Sequence, residues 1–252
     1  MSAPAQHLYD GLTPVALAAD LGVPLAVVYD SVGSTLDVAH DLAAHGAPSG
    51  TLIVADTQTA GRGRGGKRWT SEPGVGIWLT LIDRDVDPVV IELLALRLGL
   101  AAAAALEPFA GGATQVKWPN DVYVAGRKLA GILVEARWRA GAPEWVAIGI
   151  GVNVRESPDV PNAASLRAGT MRVAVMRALV PALRTALARR GALDDTERDD
   201  MERRDMARGR VVERPGAGTA EGVSPLGELL VRNADGAIDR FRAGSLVFMG
   251  ES

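Results

Sequence analysis

The chain has 252 residues, 48% of them hydrophobic, which is enough to bury a full core and suits one large domain or one domain with a small appendage. Its formal net charge of −3 excludes a surface that is basic throughout, as a general nucleic-acid binder would carry, yet allows a local basic loop. Zero cysteines exclude disulfides, thiolate metal sites and any thioester mechanism.

The N-terminal stretch "MSAPAQHLYDG" lacks the basic region and apolar core of an export signal, and the most apolar run, residues 91–110, is interrupted by Arg97 and Glu107. A cytoplasmic chain without a membrane span is therefore expected. "TPVALAADLGVP" resembles part of a helix-turn-helix, but the roughly 25 residues ahead of the first strand cannot hold a whole reading unit. One packing helix is expected there, and no sequence-specific DNA binding.

"PLAVVYD" predicts a strand, and "STLDVAHDLAAHG" a helix with Ser34 as N-cap, Asp37 three residues on and Gly46 as its stop. "TLIVAD" and "GIWLTLID" predict two strands flanking the loop "TAGRGRGGKRW", and a mostly buried helix should run from Asp87 and Pro88 to about Phe109. "TQVKWPNDVYV" and "KLAGILVEARW" read as two strands joined at "AGR", and "EWVAIGIGVNV" as a third, so at least five strands are expected. Residues 170–190 predict a helix kinked at Pro181, and "DDTERDDMERRDMARG" a solvated one. Beyond Gly209 short strands alternate with the turn signals "PGAG" and "NADG", as in a small all-β appendage. No period of 20 to 50 residues recurs.

Gly61, Gly63 and Gly66 match G-x-G-x-x-G, but a dinucleotide loop must open a helix, and Pro73, Gly74 and Gly76 break any helix that could follow. An arginine-glycine RNA-binding segment would repeat in polar surroundings, whereas this one occurs once between apolar strands. A plain surface hairpin is one remaining reading. The other is an anion-binding loop: Arg62 and Arg64 offer bidentate donors, glycines let the backbone wrap, Lys67 and Arg68 extend the field, and Trp69 supplies an aromatic face. A second polar cluster, Lys117, Asn120, Asp121 and Lys128, sits in otherwise apolar strands. It is either internally paired around an ordinary "PND" turn or functional. His7, His40 and His45 fall in neither cluster; His40 and His45 lack the i, i+4 metal spacing and are expected on a helix surface.

Five motifs, "SVGST", "TAGRGRGGKRW", "KWPNDVYV", "RKLAGILVE" and "GIGVNV", in this order and at these spacings, resemble the biotin protein ligases, strongly over residues 25–160 and weakly in the C-terminal segment. The resemblance implies an α+β fold, a mixed sheet with helices like that of class II aminoacyl-tRNA synthetases, with a small SH3-like β domain. The expected division is a catalytic biotin- and ATP-binding domain over 1–205 and the β domain over 206–252. It implies the short form of the enzyme, lacking an N-terminal DNA-binding domain. It further implies Ser34, Thr35 and Gln58 around biotin, Arg62, Gly63 and Arg64 in a loop closing over biotin and the adenylate phosphate, Lys128 at the carboxylate and α-phosphate, and Gly131 lining the pocket. Trp69, Lys117, Asn120 and Asn153 are implied around ATP, with Asp121 orienting Mg²⁺ or the acceptor lysine. Lys128, Arg62, Arg64 and Asp121 are the implied catalytic set. Leu36 departs from the family, where many members have asparagine.

The implied reaction joins biotin and ATP into biotinyl-5′-adenylate and passes biotin to a lysine of the biotin carboxyl carrier protein of acetyl-CoA carboxylase or a related carboxylase. A homodimer is admitted but not required. The mixed anhydride is already activated toward amines, so no Ser, Cys or His nucleophile is needed. Lipoate ligase is the nearest alternative, since the lipoyl and octanoyl transferases of this fold use a cysteine that the chain does not have. A non-enzymatic biotin-responsive regulator is the alternative of another class.

Overall fold

The apolar runs of strand length become a seven-stranded mixed sheet in a computed structural model, which describes residues 7–160 and 162–250. The first six residues of the stretch lacking an export signal, and the outer ends of both expected domains, fall outside the described residues. The strands are β1 (Ala26–Val32), β2 (Leu52–Gln58), β3 (Gly76–Asp83), β4 (Thr114–Lys117), β5 (Asp121–Val124), β6 (Arg127–Arg139) and β7 (Ala142–Asn153). Their order is β1-β2-β3-β7-β6-β5-β4. Only β1 and β2 run parallel, and a parallel pair needs a crossover; α2 (Thr35–Ala44) supplies it. Where the sequence suggests a single strand through "TQVKWPNDVYV", the chain reverses at Trp118, Pro119 and Asn120 and makes two short strands. Pro119 has no N–H to donate to a ladder, which ends β4 there.

Each face of this sheet carries its own cover. On one face α1 (Pro14–Leu21), α3 (Ile91–Leu106) and α4 (Arg172–Leu187) bury Leu17, Leu98, Leu179, Ile77, Leu129 and Ile148 in one large core. The stretch Pro88–Phe109 is the one helix among the described residues long and apolar enough to cross a membrane; here it is the central helix of that core. α4 runs continuously through Pro181, where the sequence suggests a kink. On the other face Leu36, Ala39 and Ala43 of α2 pack on Ile53, Ile82, Trp145 and Ala147. A helix of ten residues spans only about 15 Å, so α2 covers part of this face and leaves open the part over β5, β6 and the Gly149–Asn153 end of β7.

α5 (Asp195–Arg204) corrects the reading of a merely solvated helix. Its Asp194–Glu197 capping box fixes the first turn, and Glu197 also reaches inward to Arg97, which is 1% exposed. Arg97 Nε donates to Glu197 Oε1 at 2.7 Å, and its Nη2 to Oε2 at 3.1 Å and to the carbonyls of Gly191 and Ala192. The arginine that interrupts the apolar run is therefore the buried tie between α3 and α5. Removing one partner of such a pair leaves an uncompensated buried charge, so Glu197→Ala is expected to cost about 3–5 kcal/mol. Urea unfolding measures this, and a loss below about 1 kcal/mol, the range of exposed pairs, would show the bridge to be idle.

A second, five-stranded antiparallel sheet follows α5, made of β8 (Val211–Arg214), β9 (Gly218–Val223), β10 (Leu229–Arg232), β11 (Ile238–Phe241) and β12 (Val247–Phe248) in the order β11-β10-β9-β8-β12. Ala220, Leu229, Val231 and Phe248 join the large core, and the buried indole of Trp118 donates to Gly227 O at 2.9 Å. This ties the small sheet to the turn between β4 and β5.

Candidate functional site

The open part of the sheet is a cavity of about 450 Å³, and the sheet register explains why distant motifs meet in it. Lys117 pairs with Asp121, Asp121 with Gly131, Gly131 with Gly151, and Gly151 with Trp78, one row across five strands. Cross-strand partners share a face. Alternation along β7 then brings Gly149 and Asn153 to the same side as Gly151. Three of the five motifs are thus assembled by strand pairing alone.

Glycines make the floor thin. A Cβ on Gly151 would stand 2.5 Å from the Trp69 ring, one on Gly131 3.0 Å from it, and one on Gly149 3.0 Å from Leu36. Without those atoms Trp69 lies flat on the sheet, edge-on to Trp78 at 6.4 Å, and Leu36 does the same further along. Gly151→Ala is therefore expected to lift the indole and lower stability by about 1–3 kcal/mol, as overpacking does. The Trp69 emission, taken as the difference from a Trp69→Phe control, should become more accessible to quencher. Unchanged quenching would show that the floor has room for a methyl group.

Lys128 reaches the cavity through an irregularity. Val122 pairs with Ala130 but Tyr123 with Lys128, so Leu129 is an extra residue, and Leu129 and Ala130 both point into the core. A bulge of this kind re-aims the next side chain. Lys128 consequently stands on the same side as Gly131, its Nζ 2.8 Å from Asp121 Oδ1 and 4.9 Å above the Trp69 ring. Lys117 Nζ lies over the rings of Tyr123 and Phe248, at 5.5 and 4.8 Å.

The other wall comes from the N-terminus of α2 and the glycine loop. Ser34 caps the helix as the sequence predicts, its Oγ accepting from Leu36 N at 3.3 Å, but Asp37 does not complete a capping box and pairs with Arg62 instead. Gln58 Oε1 accepts from Thr35 N at 2.9 Å and Oγ1 at 3.0 Å, while its Nε2 donates to Ser71 Oγ. It thereby holds the loop's exit against the helix. Arg64 donates to Asn120 Oδ1 at 3.3 Å, Asn120 Nδ2 to Ile132 O at 2.7 Å, and Asn153 Nδ2 to Lys128 O at 3.2 Å. Burial pushes the Arg64 guanidinium below its ordinary pKa, with Asp121 acting in the opposite sense. For Arg62 the same desolvation is outweighed by Asp37 and Glu135, and its pKa is raised.

All thirteen residues picked as site candidates line this one cavity: Ser34, Thr35, Gln58, Arg62, Gly63 and Arg64 on one side, Lys117, Asn120, Asp121 and Lys128 on the other, with Trp69, Gly131 and Asn153 on the floor. Sequence reasoning missed Ser245 and Leu246, which reach it from the small sheet, and it misjudged His40. His40 is not a free surface residue: its side chain is 29% exposed and set between Glu135 and Trp145. The sequence signal for this was the helical offset of His40 from Leu36, which places both on the sheet-facing side of α2.

Among the described residues no group of three His, Cys, Asp or Glu side chains could hold a metal ion by itself. Asp121 Oδ1 is buried and in no aligned hydrogen bond, although Lys128 stands beside it. One such carboxylate suits Mg²⁺, which usually takes one or two carboxylates together with substrate phosphates and waters.

The description of the biotin/lipoate A/B protein ligase family matches residues 29–153. The chain is 42% identical over 134 residues to the bifunctional ligase/repressor BirA of Bacillus subtilis (strain 168), covering 53% of this chain and 41% of that protein. It is 38% identical over 148 residues to the biotin–[acetyl-CoA-carboxylase] ligase of Mycobacterium tuberculosis (strain ATCC 25618 / H37Rv), covering 54% of each. The chain thus spans about half the length of the curated relatives it matches. The crystallised biotin protein ligase from Aquifex aeolicus in complex with biotin and ATP shares the fold at a TM-score of 0.68 and 24% identity, over 88% of this chain and 97% of that one.

Proposed function

We propose that this chain, which carries a biotin/lipoate A/B protein ligase domain over residues 29–153 and is homologous there to the biotin protein ligases, is an ATP-dependent ligase. It joins biotin to ATP as biotinyl-5′-adenylate and transfers biotin to a lysine of a biotin carboxyl carrier protein or domain. The observation that carries this reading is the convergence of residues from five separate motifs on one cavity with a cation-rich rim and a glycine-thinned floor.

In this reading biotin's bicyclic ring occupies the end framed by Thr35, Gln58, Leu36 and Gly149, and the nucleotide the end framed by Trp69, Lys117, Asn120 and Asn153. The biotin carboxylate must attack the α-phosphorus of ATP and expel pyrophosphate, so two anions have to approach. Fixed cations at their meeting point lower that barrier. Lys128 and Arg64 supply them without reorganising, because Asp121, Trp69 and Asn120 already hold both side chains. Asp121 would hold Mg²⁺, whose charge would offset that of the phosphates. In the second half-reaction, after pyrophosphate has left, the Asp121 carboxylate orients the acceptor lysine, which must lose a proton before it attacks the anhydride carbonyl and expels AMP.

The test is pyrophosphate release with ATP and biotin set against ATP and lipoate, followed by labelling of a carrier domain. Biotin-dependent release with carrier labelling is expected. Release with lipoate in place of biotin would move the substrate to the alternative, and release with neither would leave a binding protein.

A further inference from the structure

The two arginines of the glycine loop have different surroundings. Arg62 Nη1 is 2.5 Å from Asp37 Oδ1 on α2, and its Nη2 is 3.2 Å from Glu135 Oε2 on β6. Glu135 is itself held from behind. His40 Nε2 is 2.9 Å from Glu135 Oε2, and Trp145 Nε1 is 3.0 Å from His40 Nδ1. An indole N–H can only donate, so Nδ1 accepts and the imidazole proton sits on Nε2, where it donates to the carboxylate. Trp145, His40 and Arg62 therefore form, with Glu135 as the shared acceptor, one connected row of side chains running from β7 through α2 and β6 to the loop.

This arrangement separates the arginines by what they can still offer. Arg62 already faces two carboxylates, so an incoming anion would meet a neutralised guanidinium beside surplus negative charge. Arg64 faces the amide oxygen of Asn120 and keeps its charge available. We propose that Glu135, set by His40 and Trp145, is a positioning residue that anchors the glycine loop through Arg62 and leaves Arg64 as the loop cation for the ligand's anionic group. The anchoring stands on the side-chain geometry; only the identity of the anion rests on the ligase reading above.

The loop contains its own reporters. Its neck is closed by Trp69 N to Gly61 O at 2.9 Å and Gly63 N to Lys67 O at 2.7 Å. Hydrogen exchange of the Gly63 and Trp69 amides, followed by NMR without ligand, is to be compared in the unaltered protein, Glu135→Gln, Arg62→Ala and the double variant. Glu135→Gln is expected to speed exchange about tenfold, the size of losing one bond to a charged group. The double variant should be no faster than Arg62→Ala alone, because Glu135 acts through Arg62. His40→Phe keeps a ring of similar size, removes the support behind Glu135, and should move exchange in the same direction by less.

Exchange unchanged in both Glu135→Gln and His40→Phe, or a full Glu135 effect persisting in the Arg62→Ala background, would overturn the proposal. With biotin and ATP, Glu135→Gln should raise the KM for biotin several-fold more than it lowers kcat; a fall in kcat alone would equally overturn it. A protein that releases no pyrophosphate but shows the expected exchange pattern would sink the ligase reading and keep the anchor.

Discussion

Lys128→Ala is expected to lower adenylate formation by about 10²-fold or more, the usual size of losing one preorganised charge aimed at a developing anion. Two effects add. In the ligase reading the variant loses the cation that meets the carboxylate and α-phosphate; it also strands Asp121, whose buried Oδ1 has Lys128 as its counter-charge at 2.8 Å. A bare carboxylate in the cavity repels a triphosphate that carries no Mg²⁺, so binding of metal-free ATP should weaken along with the chemical step. Lys128→Arg is expected to rescue little, since a planar fork cannot take the place of a compact ammonium set over the Trp69 ring and beside Asp121. Single-turnover formation of adenylate separates the two effects, and Lys128→Ala with Asp121→Ala should recover binding of metal-free ATP without recovering rate. Adenylation at the unaltered rate in Lys128→Ala would show that the lysine serves only to balance Asp121.

The site was legible in the sequence because its chemistry needs residue types that strands otherwise avoid. Lys117, Asp121 and Lys128 stand out against valine and leucine, whereas Gly131 came only with the family resemblance and Gly151 was not singled out at all. What joined them was not legible. The row from Lys117 to Gly151 exists only in the pairing register, and the extra residue at Leu129 that turns Lys128 to the cavity has no marker in an apolar "KLAGIL" run. The split of β4 from β5 had a marker in Pro119, read as a turn within one strand rather than as a reversal. Glu197 was misjudged because it follows its local pattern, a charged helix, and only a partner a hundred residues away pulls it inward; His40 had a local marker in its helical offset from Leu36, but its partner Glu135 lies 95 residues away. The small sheet's share of the cavity, at Ser245 and Leu246, depends in the same way on a docking that no local pattern encodes.

If the chain is the proposed ligase, Arg64→Gly is expected to make it leak the adenylate. If Arg64 is the loop's contribution to holding the adenylate and Lys128 supports its formation, the variant loses retention more than synthesis. A bond to a charged group contributes roughly 1.5–3 kcal/mol, so the adenylate should escape about 10- to 100-fold more readily and acylate bystander lysines in solution. Arg62→Gly should leak as well, but by another route: it cuts the loop from Glu135 and Asp37 and lets the whole hairpin open. The two variants are told apart without ligand, because exchange at Gly63 and Trp69 should rise less in Arg64→Gly, which loses one long bond to Asn120, than in Arg62→Gly, which loses two carboxylate partners. The assay mixes each variant with ATP, biotin and an unrelated lysine-rich protein, then measures bystander labelling per adenylate formed. If that ratio stays at the unaltered level in Arg64→Gly while carrier labelling falls, Arg64 does not retain the intermediate, and its charge is to be assigned to forming the adenylate or to docking the carrier.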